Sequence, residues 1–474
     1  MKEAYYSGYL FVFLILSGSL TLMIATDSPV PKLVYAQELT ILNEINLSND
    51  MEFSIEEQIS ASGNNVYVVW RDNNATSLNS AILFKRSNNS GANFEPTTIL
   101  SRTTGFSFEP RISASGSNVY VVWTDNTEGT NDIYFARSTN RGLSFDPVIN
   151  VSKDMPGLAG VPHIVSSGNN VYLVWRDTTP GNADIFFSRS TNNGMTFENN
   201  VNLSNNSGIS GLPQIAAAGN AVYVVWQDTT PGNDDILFRG SLDGGVTFGD
   251  TANLSNHPGY SYEPRIAAEG NNVYIVWTGR LPEGFMVFFK SSMDNGRTFG
   301  AKLDLTQLSS GNQGGPTFAV TLLGPSANPV IGASENTVHV TWRDNRFGNE
   351  EIFYSRSENG GANFTLPVNL SNTSGYSSEP KVRVGDNNIF IAWSDHTFRG
   401  NPDILLRGSM DNGTTFSETL NLSNNTGDSG FPELGTTGSG AMAISRNNLY
   451  VIWHDNTPGN SDIFYSKVSV GALG

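Results

Sequence analysis

One phrase recurs through this chain: a run of β-branched and aromatic residues that ends in tryptophan and, two residues on, usually aspartate. Its first copy is Val66-Tyr67-Val68-Val69-Trp70-Arg71-Asp72 and its second is Val119-Tyr120-Val121-Val122-Trp123-Thr124-Asp125. Later copies supply Trp175, Trp226, Trp277, Trp342, Trp393 and Trp453, so all eight tryptophans share one setting. Successive gaps are 53, 52, 51, 51, 65, 51 and 60 residues, a period near fifty with two insertions. Such a period implies a propeller, a solenoid or an array. A length of 474 residues would otherwise suggest two or three domains, but one ring can absorb all of it.

Residues 107–152 show what one repeat contains. Ser107 to Ala114 is a short run closed by the turn Ser115-Gly116, and Asn118 to Trp123 is the apolar run. A polar loop leads to Asp132-Ile133-Tyr134-Phe135-Ala136-Arg137, a tight turn follows, and residues 145–151 supply a fourth run. Four strands joined by turns predict an antiparallel meander. In the second strand Val119, Val121 and Trp123 face one way while Tyr120 and Val122 face the other, so both faces are apolar. A sheet apolar on both faces must be covered twice, which identical blades stacked around an axis achieve. The expectation is an all-β chain folded as an eight-bladed propeller, its tryptophans packed between blades. Each indole would bury about 150–250 Å², worth roughly 4–6 kcal/mol before entropy is counted.

The two ends complement each other. After Trp453 a third strand, Asp462-Ile463-Phe464-Tyr465-Ser466, is not followed by a fourth. Residues 39–48 precede the first full repeat and end Ile45-Asn46-Leu47-Ser48, matching the fourth-strand ends at 201–204, 368–371 and 420–423. The N-terminal strand should therefore complete the last blade. With no cysteine in the chain, closure has to be non-covalent.

The turn between third and fourth strands repeats Ser-x-Asp/Asn-x-Gly-x-Thr/Ser/Asn-Phe seven times. Its third position is Asn89, Asn140, Asn192, Asp243, Asp294, Asn359 and Asp411 in turn. Glycine permits positive φ, the Asp or Asn side chain bonds nearby backbone N–H groups, and the phenylalanine plugs the turn into the core. This pattern resembles the Asp-box, or BNR repeat, of the sialidase-like β-propeller superfamily, and it extends over essentially all of residues 37–474. The resemblance implies a structural role for these seven positions, on the face opposite any active site.

Net charge is −17, which argues against nucleic acid as a partner. Residues 1–36 contain the apolar stretch from Leu10 to Ala25 and end Val34-Tyr35-Ala36, small residues of the kind a signal peptidase reads. They are expected to be a cleaved signal peptide or an uncleaved N-terminal anchor, the latter being the chain's one route to a membrane. Residues 37–474 then form a single propeller, secreted or on the cell surface and monomeric. Asn-x-Ser/Thr sequons such as Asn46, Asn74, Asn88, Asn150, Asn202, Asn253, Asn369, Asn372 and Asn421 permit glycosylation of an exported chain.

A folding group recurs in every blade, whereas a binding or catalytic group is needed once. Paired acids such as Asp125 and Asp132, or Asp228 and Asp235, recur and so read as loop stabilisers. The alternative is an acidic rim that binds cations such as Ca²⁺, but no EF-hand spacing supports it. The histidines His163, His257, His339, His396 and His454 have no metal-ligand spacing, and neither metal nor cofactor is expected.

Positions that differ are more informative. One residue after the recurrent proline, where innermost strands begin, stand Gln58, Arg111, His163, Gln214, Arg265, Val330 and Lys381. Innermost strands line a propeller's channel, so Arg111, His163, Arg265 and Lys381 are candidate ligand-binding residues at its mouth. The cations could converge on an anion, or pair with Glu109, Glu263 and Glu379 beside them. The resemblance implies that sialidases hold a carboxylate with three arginines, the first in a motif like Glu-Pro-Arg-Ile at 109–112 and 263–266. It implies also a tyrosine nucleophile paired with glutamate, and an aspartate acid/base. Tyr262 and Glu263 are adjacent but belong to a repeated phrase, no aspartate is unique, and that catalytic propeller has six blades. The reading is a non-catalytic module for an extracellular glycan or protein, with an exo-acting sialidase-type glycoside hydrolase as the alternative. Specificity could also lie where blade 5 departs at Trp277-Thr278-Gly279, and in the extra length between Phe299 and Pro329.

Overall fold

The computed structural model describes residues 39–74, 79–101, 104–282, 284–307, 327–345, 348–385, 387–397, 401–431, 441–457 and 459–470. The expected leader (1–36), the Asn74 sequon's threonine and most of the extra length before Pro329 lie outside them. The described residues form eight antiparallel sheets, seven of them four-stranded meanders in sequence order. Blades 1 to 7 begin at Phe53, Ser107, Ala159, Ser210, Tyr260, Val330 and Ser377. The eighth combines Ser429–Gly430, Met442–Ser445, Asn448–Asp455 and Asp462–Val470 with Leu39–Asn46 from the other end of the chain. That strand pairs antiparallel with Asp462–Val470, Leu39 opposite Val470 and Asn46 opposite Phe464. The ring is an eight-bladed propeller closed by the strand expected to close it.

Packing follows the two-faced strands. Eight apolar clusters form, one at each blade interface; one joins Tyr67, Val69 and Phe84 of blade 1 to Val119, Val121 and Trp123 of blade 2. Every tryptophan is buried. In three blades the indole N–H donates to the aspartate two residues on, as from Trp226 to Asp228 at 2.9 Å and from Trp342 and Trp393 at 3.2 Å. The other five indole N–H groups make no such bond, so the aspartate recurs chiefly for the loop it holds, as Asp228 does through the Thr230 N–H.

The serine turns lock blades to one another. In the turn at Ser138, Asn140 accepts the Ser138 hydroxyl at 2.8 Å and the Ser144 N–H at 3.1 Å. Asp243 accepts the Thr247 N–H at 2.9 Å and its hydroxyl at 2.6 Å, bonds that hold its carboxyl down to about 2. Asn89, Asn192, Asp294, Asn359 and Asp411 take the same bonds. The turn's phenylalanine packs edge-on against the third-strand aromatic of the preceding blade, as Phe145 does on Phe84 at 4.9 Å between centroids. Phe94 of blade 1 does so on Tyr465 of blade 8, carrying the contact across the closure. Gly142 sits at φ 75°, and a Cβ there would meet the Phe84 ring at 2.7 Å. Handedness and crowding both demand glycine.

The fourth strand is shorter than the sequence suggests, only Ile149–Asn150 in blade 2. Phe145 is committed to the neighbouring blade, and Pro147 has no N–H to offer a ladder. What holds this strand is a side-chain clasp. Asp132 accepts Asn150 Nδ2 at 2.9 Å and Ser152 Oγ at 3.0 Å, while Ser152 Oγ accepts the Ile133 N–H at 2.9 Å. The clasp recurs at Asp184, Asp235 and Asp403. At the ring closure, Asp462 accepts Asn46 Nδ2 at 2.6 Å and Ser48 Oγ at 2.9 Å. The sequons at Asn46, Asn150, Asn202, Asn253 and Asn421 are thus clasp elements, with the nitrogen a glycan would occupy already bonded. The other acid of each pair holds a loop, as Asp228 does through the Thr230 N–H at 2.8 Å and Ser210 Oγ at 2.7 Å.

Candidate functional site

Among the described residues, the innermost strands of blades 1 to 5 and 7 start with a bulge. In blade 2 the register slips between Phe108 and Arg111, and Glu109 lies at φ 56°. Glu56, Val161, Leu212, Glu263 and Glu379 adopt the same left-handed conformation in their blades, at φ 48° to 59°. None is glycine, so each bulge stores strain of about 1–2 kcal/mol. Offsetting bonds come from the glutamates. Glu56 accepts the Glu109 N–H at 2.7 Å, Glu109 accepts the Val161 N–H at 2.7 Å, and Glu379 accepts the Phe431 N–H at 3.1 Å. They stitch three of the bulges to the next blade, a role distinct from pairing with the adjacent cation.

The bulge aims the following side chains at the axis. Gln58, Arg111, His163, Gln214, Arg265, Val330 and Arg383 line one channel cavity of about 330 Å³. Seven blades contribute to it, and the series read at the strand starts assembles there in six of them. Arg111 Nη1 donates to Pro110 O at 2.9 Å and Arg265 Nη1 to Pro264 O at 3.1 Å, folding each guanidinium back onto its own bulge. His163 Nε2 and Gln214 Nε2 are 3.3 Å apart. Burial lowers the pKa of Arg111, Glu109 and Glu56 oppose that, and the like charge of Arg265 adds to it. Arg265 is lowered by burial as well, against the pull of Glu263.

Lys381 is buried but does not line the cavity; its ammonium sits 5.5 Å from the centroid of the Phe431 ring. Burial, helped by Arg265 and opposed by Glu379 and Glu57, brings it down to about 8. Arg383, two residues on, takes its place in the channel and donates from Nε to Met442 O at 2.6 Å, its pKa pushed by burial down to about 10. The sequence carried a signal for Arg383. Equivalent positions in other blades are Ser60, Ser113, Val165, Ala216 and Ala267, so a charge there stands alone among them.

Glu57, in the place of the proline, is fully buried with Oε1 3.3 Å from His454 Nδ1 of blade 8. Burial alone would lower His454; Glu57 outweighs it and the pKa rises. His339 is buried against Tyr354, 2.8 Å from its hydroxyl, and burial lowers it to about 4. Among the described residues no group of three or more acidic or histidine side chains is placed to hold a metal ion.

Tyr262 and Glu263 do other work. Tyr262 stacks on the Tyr260 ring, and Glu263 occupies the bulge, where Thr278 Oγ1 approaches it at 3.5 Å. A tyrosine and a glutamate do share an arginine at the rim between blades 6 and 7. Arg343 Nη1 donates to Tyr376 Oη at 2.7 Å and lies 2.8 Å from Glu350 Oε2. Burial, then Glu350, raise the phenol's pKa. No single repeat contains all three residues, so the sequence did not disclose this group.

No protein-family model matches this chain, and no curated protein matches it in sequence. Among solved structures it is similar to the polysaccharide lyase Uly1, at 10% identity and TM-score 0.47, covering 76% of this chain and 89% of that one. It is similar to the phage phi92 endosialidase at 9% identity and TM-score 0.40, covering 92% and 70%. The Trypanosoma rangeli sialidase gives 9% identity and TM-score 0.37, covering 90% of this chain and 59% of that one. Glycoside hydrolases and lyases thus stand among the structural neighbours, and at these identities no residue role is carried over from them.

Proposed function

We propose that this propeller is a non-catalytic module, exported to the cell surface or beyond, whose channel mouth binds an anionic glycan. The observation that carries this reading is the gathering of Arg111, Arg265 and Arg383 around one cavity in a chain of net charge −17. Burying like charges together is costly, and an anion between them would relieve the cost. Guanidinium forks match carboxylate geometry, and about 330 Å³ falls within the range of small-molecule sites. The module acts as a monomer without cofactor, and a protein ligand would have to present a carboxylate to use the same mouth.

Retention on immobilised carboxylated oligosaccharides tests the reading. Wild type should be retained, less so as salt rises, and Arg265→Gln should elute early. Equal retention on neutral oligosaccharides would overturn the anion site. The hydrolytic alternative is favoured by the contact among Tyr376, Glu350 and Arg343, so a fluorogenic sialoside should be assayed in parallel. Turnover by wild type that Tyr376→Phe abolishes would replace binding by hydrolysis as the function.

A further inference from the structure

Blade 5 breaks the pattern at its mouth-facing hairpin. In blades 2, 3, 4, 7 and 8 that hairpin ends on an aspartate pair, such as Asp177 opposite Asp184. In blade 5 Gly279 stands opposite Met286 there, and the ladder continues through Arg280 with Phe285 and Leu281 with Gly284. Tyr260 of the first strand pairs with Arg280 in turn. Tyr260, Arg280 and Phe285 therefore form one rung across three strands, their side chains on the same face. The Arg280 guanidinium carbon lies 5.6 Å from the centroid of the Phe285 ring. Tyr262, two residues along, stacks with Tyr260 at 6.2 Å between centroids and 6° between planes.

This rung is not core, because Tyr260 is 48% exposed and Arg280 is exposed beside it. Blade 1 has a lengthened hairpin too, but its rung is Phe53, Asn73 and Ser80, which carries no cation. Only blade 5, among the described residues, joins an aromatic face to a guanidinium at the hairpin's end. The same first strand carries Arg265 into the channel.

We propose that the rung is a second sugar subsite, and that the ligand is an acidic polysaccharide with a carboxylate on successive units. The proposal rests on reading the channel mouth as an anion site. A pyranose presents a C–H face that stacks on a phenol, and Arg280 offers its fork to a carboxylate on the same sugar. Arg265 pairs with Val276, four residues before Arg280. At about 3.4 Å per residue the two cations are carried by backbone positions roughly 14 Å apart. One hexose cannot touch both, whereas an oligosaccharide can, its first unit in the channel and a later one on the rung.

Calorimetric titration with galacturonic acid, hexagalacturonate and the neutral cellohexaose tests this. The hexamer should bind wild type at least tenfold more tightly than the monosaccharide, and cellohexaose far more weakly than hexagalacturonate. Tyr260→Ala and Arg280→Gln should each remove most of the hexamer's advantage and leave monosaccharide affinity unchanged, with Tyr260→Phe retaining it. Arg265→Gln should weaken both acidic ligands. Equal affinity for monosaccharide and hexamer, unaltered by Tyr260→Ala, would remove the rung subsite and leave the channel reading standing. Binding of neither acidic ligand by wild type would overturn both.

Discussion

The two faces of the ring are built by opposite rules. On one, seven turns repeat the same N–H bond, and Asp243 and Asn140 differ only at the hydroxyl four residues on, which donates to the aspartate and accepts from the asparagine. On the other, one position runs through glutamine, arginine, histidine, valine and lysine from blade to blade. Where geometry demands a residue, the repeat preserves it; where the fold makes no demand, composition is open to a ligand. The glutamates at the bulges qualify this rule, since they stand at the mouth yet serve as stitches between blades.

Substitutions across the ring should separate the two rules. The largest loss is expected between the faces, where Trp226→Ala empties a blade interface and should cost roughly 3–5 kcal/mol in denaturant unfolding. A mild effect would contradict the interblade packing. Asp462→Ala should come next, at about 2–3 kcal/mol, because it leaves Asn46 and Ser48 without their acceptor on the strand that closes the ring. Asp235→Ala removes the same clasp within blade 4, where the chain itself tethers the strand, and should cost less. Equal losses would mean that the N-terminal strand is no weaker a tether.

Smaller effects follow at the solvent-facing turns. Asp243→Ala should cost under about 1 kcal/mol, because water screens and replaces its bonds. The carboxyls of Asp243 and Asp294 are held near 2, below their unfolded value, by the bonds from Thr247 and Thr298. Their contribution is therefore present above pH 4 and is lost as pH falls toward 2, which acid titration of the melting temperature would register. At the mouth Arg265→Gln removes one of several like charges held together, so stability should hold or rise while anion binding falls more than tenfold. The smallest effect is a titration. Lys381, brought to about 8 by burial and so below its unfolded value, sheds its proton in the folded chain first, so the melting temperature should gain from this group as pH rises from 8 to 10. Lys381→Gln should flatten that rise.

Much of the ring was legible because it is local and repeated. Trp453 without a following fourth strand, and Leu39 to Ser48 without a preceding blade, together specified the closure. Arg111, His163 and Arg265 were found where one position varied while its neighbours did not. Lys381 begins its strand in the same register as Arg111 and Arg265, but its ammonium sits over the Phe431 ring and Arg383, two residues on, lines the cavity. The left-handed bulges were hidden, since glutamate, valine and leucine give no sign of positive φ. The Tyr376, Glu350 and Arg343 group joins two blades, and a pattern read within one repeat cannot show it.

The closing strand also determines how the ring answers to force. Leu39 lies opposite Val470, so tension between these two residues loads one rung at a time, beginning at the outermost pair. The strand would peel as a zipper does, where opposed ends would have made it shear as a block. Asp462, with Asn46 and Ser48, sits at the far end of that zipper and gives way last. A partly peeled ring can therefore re-close from its clasp, whereas one that has lost the clasp must find its first strand again across more than four hundred residues of chain.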